Sequence, residues 1–375
     1  MKILFIAPPI GGIDVYTNAL SKALTKLGAN VEIMGSLPKE TAYDTKRRNW
    51  KSTHKVKEIA SQVADRIPFH RFDINAFHFG KNDIEQYIPV VIDKKNIQIK
   101  NPIYYVHFLS RNLFSDYLSD SLAQQEVEEK VYNFFKSYIF FGKFAKKYME
   151  TQTDRKLKGI ISFHPESHSK DIPLKTSAGV KIFFPSNPKN AVPKVIFAGF
   201  AANYKDYNLL LESFNYVQKP MTFVFAGPGW LKRIGVTSRQ IGPVNISVVE
   251  RYLTAQEYRF ACEYSDFGIF PYRQPANSKE VFQGSGALPN FLFFGKPCIT
   301  LNEGVLPEYV GRAGIIVKTN NPRDLANAIN KMLDPATRMR YSRIAKQRSH
   351  LFSIERHAKD CLTHFENLLQ KPEQE

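Results

Sequence analysis

DFGIFPYRQPANSKEVFQGSGALPNFLFFGKPCITLNEGVLPEYV, residues Asp266 to Val310, joins two short apolar runs through a turn of small residues and a helical stretch. Phe267 to Phe270, stopped by Pro271, and Pro297 to Leu301 each have the length and apolar character of a buried strand. Between them Gly284, Ser285 and Gly286 open a helix expected from about Ala287 to Phe294 and closed by Gly295. A small-residue turn feeding a helix leaves backbone N–H groups without intrahelical partners, so it can hold an anion such as a pyrophosphate. An ordinary loop-to-helix junction, whose glycines only permit close packing, has the same local sequence. The setting of the turn in the chain has to decide between them.

At 375 residues the chain exceeds one ordinary domain, and two domains of under about 200 residues are expected. Its 43% hydrophobic and 13% aromatic content suffices for two cores. No apolar run reaches membrane-spanning length, and MKILFIAPPIGG is broken too early for a signal peptide, so a cytoplasmic protein is expected. Cys262, Cys298 and Cys361 lie in apolar or helical patterns and read as free buried thiols rather than a disulfide or metal site. The net charge of +17 favours partners that carry phosphate: nucleotides, nucleic acid or anionic headgroups. Residues 1–185 hold 28 lysines and arginines against 19 acidic residues, and the remainder holds 24 against 16. Charge spread so evenly is unlike a basic tail or a single DNA-reading module.

In the first half, Lys2 to Ala7 reads as a strand and Pro8 to Gly12 as a sharply bent loop. A helix from about Asp14 to Leu27, ended by Gly28, and a strand Val31 to Met34 follow. This is a βαβ unit with an anion or sugar site possible at Gly11 and Gly12; without a full Gly-x-Gly-x-x-Gly it gives little support for a dinucleotide cofactor. The next segment is rich in lysine and arginine, Arg47 and Arg48 among them, and then repeats Val56, Ile59, Ala60, Val63, Ala64 and Ile67 at helical spacing. A helix packed on the sheet with a solvated basic edge is the favoured account of this; a surface that meets acidic headgroups or an acceptor phosphate is the alternative. Strands are expected at Ile74 to Phe79, Ile103 to Phe108, Tyr138 to Phe141 and Ile160 to Phe163. His78 and His107 fall at the carboxyl ends of two of them, the edge where parallel sheets bind ligands. The aromatic stretch Val131 to Met149 is expected to be mostly core.

KIFFPSNPKNAVPK, Lys181 to Lys194, has three prolines and reads as an interdomain linker. The pattern then restarts with strands at Lys194 to Gly199, Thr222 to Ala226 and Ile246 to Val249, and a helix from Asp206 to Val217. Thr254 and Glu257 have capping-box spacing at the start of another helix. After the opening stretch come a strand Ile315 to Val317 and helices at about Pro322 to Leu333, Pro335 to Ser349 and Ile354 to Leu369. The fold expected is α/β, two Rossmann-like domains of about 1–185 and 194–350, with the last helix returning to the first domain.

Laid out in this way, the chain resembles the GT-B glycosyltransferases, most closely the retaining glycosyltransferase family 4 and its divergent relatives, over nearly its whole length. The segments GGIDVYTNALSKALTKLGANVEIMG, FDINAFHFG and NPIYYVHFLS are similar to the family's glycine loop with its first helix, its third-strand histidine motif and its active-site histidine strand. GFAANYKDYNLLLESF is similar to the segment that normally begins Gly-Arg and places a lysine six residues after the glycine. The resemblance implies two facing domains with a cleft between them. It further implies that His107 stands beside the donor sugar and that Lys205 contacts the donor diphosphate. Phe200 occupies the place of the family arginine, and Phe282 and Asn290 the places of its paired glutamates. Ser285 and Gly286, with Gly284, remain placed for the pyrophosphate, Asn290 for a ribose, and Arg273, Lys279 and Glu280 as substitutes for the lost charges. His78, Arg47 and Arg48 are assigned to the acceptor side.

The implied activity moves a sugar, with retention, from a nucleoside-diphosphate sugar to a glycan, glycolipid or lipid-linked acceptor. Such transfer needs cations and backbone donors at the diphosphate while charge grows there, in a cleft that excludes water. No Asp-x-Asp or His/carboxylate cluster in the sequence suggests an essential metal, and no cofactor is expected beyond the donor substrate. Peripheral contact with an anionic membrane accords with the charge. The alternatives are a noncatalytic binding subunit of the same fold, suggested by the lost arginine and glutamates, and a protein that binds or glycosylates nucleic acid, suggested by charge alone.

Overall fold

The computed structural model describes residues 1–9, 11–35, 53–79, 84–110, 129–167, 172–174, 176–184, 192–274 and 280–370. The chain forms two compact units. The first comprises Met1–Ser162, Lys279–Gln283 and Ile354–Glu375; the second comprises Phe163–Ser278 and Gly284–Ser353.

The first unit is built on a parallel sheet of β1 (Lys2–Ile6), β2 (Asn30–Met34), β3 (Ile74–Phe79), β4 (Pro102–Val106), β6 (Ser137–Phe141) and β7 (Gly159–Ser162), in the order β2-β1-β3-β4-β6-β7. The two-residue strand β5 (Leu109–Ser110) lies outside it. Successive side chains alternate between faces, so each strand feeds two cores. Leu4, Ile6, Phe77, Phe79, Tyr104, Val106, Tyr138 and Phe140 pack on one face, with Ala60, Val63 and Ala64 of the helix Thr53–Arg66. Ile3, Phe5, Ile74, Ala76, Ile103, Tyr105, Ile139 and Phe141 pack on the other, against the helix Gly11–Lys26. The helix Ile354–Gln370 covers that second face as well, with Ile354, Ala358, Cys361 and Phe365 along one stripe. Chain order turns back between β1 and β3, which makes their carboxyl ends the topological switch point of the sheet.

The second unit repeats the plan. β8 (Lys194–Ala198), β9 (Met221–Ala226), β10 (Ser238–Ile241) and β11 (Val244–Val249) form a sheet in the order β10-β11-β9-β8, antiparallel only between β10 and β11. β12 (Gly268–Phe270), β14 (Cys298–Leu301) and β15 (Gly314–Val317) form a parallel sheet in that order. The residues leading into β12 tie it to β8: Asp266 N–H donates to the Lys194 carbonyl at 2.7 Å, and the Ser265 hydroxyl accepts from Ile196 N–H at 3.0 Å. The switch point of this unit therefore lies at the carboxyl ends of β8 and β12.

Two expectations about organisation change. The handover between units falls at Ser162–Phe163, ahead of the proline-rich stretch, of which 185–191 lie outside the described residues. The cause is packing: the helix Thr176–Phe183 lies against Ala255–Tyr264, with Phe183 stacked on Phe260 at 5.5 Å and 6°. Prolines mark a bend here, and the aromatic stack decides membership. The stretch that opened the sequence reading is also divided. Its residues Glu280–Val281 form β13, which pairs antiparallel with β5, and Gln283 Nε2 donates to the Val106 carbonyl at 2.9 Å, so this segment belongs to the first unit.

Gly227, with φ +145°, shows why a glycine follows β9: a Cβ there would stand 2.5 Å from the Gly199 carbonyl oxygen. Gly227→Ala is expected to cost more than about 2 kcal/mol in urea unfolding, since neither strained backbone nor a backbone clash can relax cheaply.

Candidate functional site

In the second unit the site grows from the loop after β8. Gly199, with φ +113°, lets the chain turn, and a side chain there would meet Lys205 Nζ at 3.0 Å. The turn is held by Trp230 Nε1, which donates to the Gly199 carbonyl at 2.7 Å. The chain returns so that Lys205 makes an antiparallel bridge to Tyr272, just beyond β12, at the switch point.

Lys205 is 4% exposed, and its Nζ lies 5.3 Å from the ring centre of Phe197, 5.4 Å from Phe200 and 5.6 Å from both Trp230 and Tyr272. Among the described residues no carboxylate stands within ion-pair distance of it. Its neighbour Asp206 directs its carboxylate elsewhere: Oδ1 accepts from Leu209 N–H at 3.1 Å and Oδ2 pairs with Arg273 Nε at 2.8 Å. Cation–π attraction compensates part of the burial, yet loss of hydration dominates and brings the Lys205 ammonium down to about 7. Among the described residues no fixed counter-charge faces this dehydrated amine, so an anion arriving here would favour its charged form. Phe200 is 54% exposed and forms the outer wall of the cage.

Ser285 lies against the Tyr272 hydroxyl, so the small-residue turn and Lys205 share one aromatic neighbour. The Ser285 hydroxyl accepts from Ala287 N–H at 3.0 Å and Leu288 N–H at 3.3 Å and so caps the helix Ala287–Phe293 itself. Two of the amides expected to face a pyrophosphate are thereby committed. Gly286 is exposed with open space where a Cβ would be, whereas a Cβ at Gly284 would meet Val305 at 2.6 Å.

Three other residues assigned to this side have partners that the sequence did not show. Asn290 is 1% exposed, its Oδ1 accepts from Ser167 N–H at 3.0 Å and its Nδ2 donates to the Gly286 carbonyl at 2.7 Å, so its amide is used inside the unit. Arg273 is paired with Asp206. Glu280 belongs to β13 and hence to the first unit. Lys279, like Arg47 and Arg48, lies outside the described residues.

In the first unit, Gly11 and Gly12 are the first residues of the helix rather than a loop before it, and a Cβ at either would meet nothing within 4 Å. They stand at the switch point beside the end of β3. There, register and face bring imidazoles together: His78 is opposite Tyr105 in the β3–β4 ladder, and His107, one residue past β4, follows Tyr105 on the same face. His78 Nδ1 lies 3.1 Å from His107 Nε2. His78 is fully buried, so its own side chain has no exposed surface to meet an acceptor. Burial, followed by the proximity of His357, holds the His78 imidazole well below its usual range, and it is neutral at pH 7. His107 is half-buried, with Tyr16 at 4.9 Å and Phe141 at 5.1 Å between ring centres.

The surroundings of this pair were not visible in the sequence. Tyr16 hydroxyl and His357 Nε2 are 2.6 Å apart, and His357 Nδ1 is 2.8 Å from the Ser162 hydroxyl. His357 comes from the last helix, where the spacing of Ile354, His357, Ala358 and Cys361 puts it on the buried stripe. Among the described residues no group of three histidine, cysteine, aspartate or glutamate side chains is placed to hold a metal ion. No described helix is long and apolar enough to cross a membrane.

Residues 192–335 match the family model described as Glycosyl transferases group 1. That span contains Lys205, Tyr272 and Ser285. No curated protein matches the chain. Among solved structures it is similar to a glycosyltransferase from Rickettsia africae ESF-5, with TM-score 0.70 and 15% identity over 99% of each chain. It is also similar to sucrose-phosphate synthase from Thermosynechococcus elongatus, with TM-score 0.71 and 13% identity over 98% of this chain and 99% of that one. Anabaena HepE in complex with UDP-glucose gives TM-score 0.64 and 13% identity over 97% of this chain and all, 100%, of that one. At such identities the likeness is one of fold: the chain has the GT-B fold, with two Rossmann-like units.

Proposed function

We propose that the protein is a glycosyltransferase that takes a sugar from a nucleoside-diphosphate donor and passes it, with retention, to a glycan, glycolipid or lipid-linked acceptor. The observation that carries this reading is Lys205: a dehydrated cation at the switch point of the second unit, inside the span that matches the glycosyltransferase family. As the bond to the anomeric carbon breaks, negative charge grows on the leaving diphosphate. A lysine held in apolar surroundings stabilises that charge far more than one in water would. Ser285 and the exposed Gly286 lie beyond Tyr272 and supply hydrogen bonds to the same diphosphate. Retention and the role of His107 beside the sugar rest on the family resemblance. The net charge of +17 supports an acceptor or surface that carries phosphate.

The replacement of the family arginine by Phe200 and the committed Asn290 favour a second reading, a binding subunit that holds the nucleotide without turning it over. One series of measurements separates the two. A nucleoside diphosphate at about 100 times its Kd is expected to stabilise the fold by about 2.7 kcal/mol, so a panel of UDP, GDP, ADP and dTDP is expected to contain one that raises Tm. The matching sugar nucleotides are then tested for transfer and hydrolysis. Binding with neither reaction supports the binding subunit, and no Tm shift with any of the four rejects both readings.

A further inference from the structure

The histidine pair of the first unit makes a prediction about protons that the fold does not require. We propose that His78 fixes the tautomer of His107: His78 Nδ1–H donates to His107 Nε2, and neutral His107 therefore carries its own proton on Nδ1. His78 is thus a positioning residue, and the proposal deepens the reading in which His107 faces the donor sugar.

The His78 ring is firmly held. It stacks on Tyr105 with centres 4.0 Å apart and planes at 25°, and meets Phe5 edge-on at 4.6 Å and Tyr16 at 5.9 Å. These contacts come from β1, the first helix and β4, and they leave the ring no freedom to turn. Among the described residues the groups facing it from the packed elements are Phe5, Tyr16, Tyr105, His107 and His357, none of them anionic at pH 7. A second proton on His78 would create a buried cation without a counter-charge, so the ring has one proton and two places for it.

Its Nε2 is buried and has no hydrogen-bond partner among the described residues. If the proton were on Nε2, an N–H donor would be stranded in an apolar enclosure, facing aromatic rings that compensate it only weakly. If it is on Nδ1, it is used in the 3.1 Å contact with His107, and the unpartnered atom is an acceptor, which proteins tolerate better than an orphaned donor. His107 Nε2 must then accept, and its hydrogen resides on Nδ1. The consequence is chemical. His107 then carries an N–H donor at Nδ1 rather than a lone pair. It cannot take a proton at Nε2 until the contact with His78 breaks.

The test uses the full chain with ¹⁵N-labelled histidine and long-range ¹H–¹⁵N spectra at neutral pH, with the His78 and His107 variants giving the assignments. Both rings are expected to show the Nδ1–H pattern in the unsubstituted protein. In His78→Leu, His107 is expected to move toward the Nε2–H form that a free imidazole prefers. In His78→Asn the amide nitrogen overlies the ring Nδ1, and the original His107 pattern is expected to return. A His107 Nε2–H pattern in the unsubstituted protein, or one unchanged by His78→Leu, overturns the assignment, and neither depends on any activity. In transfer assays kcat is expected to fall at least about tenfold in His78→Leu, with less change in KM, and to stay within about threefold in His78→Asn. The expected spectra with unaltered kcat would overturn the role of the pair in transfer and leave the tautomer assignment standing.

Discussion

Lys205→Met is expected to lower transfer by about 10²- to 10⁴-fold while making the fold more stable. Methionine matches the length of the lysine stem and suits a cage made by Phe197, Phe200, Trp230 and Tyr272. The gain in stability follows from linkage. The lysine titrates at about 7 in the folded chain, against an ordinary value of 10.5. Between those values the unfolded chain holds a proton that the folded chain does not, so stability of the unsubstituted protein rises with pH across that window. Below about pH 7 both states are protonated and the folded state bears the full penalty of a buried ammonium. Urea unfolding at pH 6 is therefore expected to show Lys205→Met more stable by about 2–4 kcal/mol, with the difference shrinking as the pH approaches 10. A variant less stable at both ends, or one that keeps its turnover, would contradict the view of Lys205 as a dehydrated cation retained for binding an anion.

The same residue shows what could be read from sequence and what could not. Alternating apolar strands and glycine-ended helices were legible because their causes are local. Thr254 and Glu257 form the expected reciprocal cap, with Thr254 Oγ1 accepting from Glu257 N–H and Glu257 Oε2 accepting from Thr254 N–H at 2.9 Å. Lys205 could be placed in a loop at a strand end, but its cage could not be foreseen, since Trp230 and Tyr272 arrive from other elements. The partner of Asn290 was hidden for the same reason: Ser167, which donates to it, is 123 positions away. Strand β13 was missed because two residues carry no periodicity, and pairing with Ser110 and Leu109 alone defines it. His357 gave only the signal of a histidine on an apolar helical stripe, a pattern that usually belongs to a satisfied core residue. Here its two nitrogens meet Tyr16 and Ser162.

His107→Phe is expected to fold, to lose turnover by about 10²- to 10⁴-fold, and to be less stable by about 1–3 kcal/mol. Phenylalanine fills the same space between Tyr16 and Phe141, so packing is kept and both ring nitrogens are lost. The stability loss comes from the other side of the pair, because the fully buried His78 then loses the acceptor of its Nδ1–H. Removing both members of a buried hydrogen bond costs less than removing one. His107→Phe in a His78→Leu background is therefore expected to recover most of that stability, while turnover stays as low as in the single variant. Equilibrium unfolding of the four proteins gives the coupling directly. Additive losses would mean that the 3.1 Å contact contributes nothing. A positive coupling with no recovery of turnover would separate the two functions of the pair: His78 accounts for the energy of the contact, and His107 accounts for the chemistry.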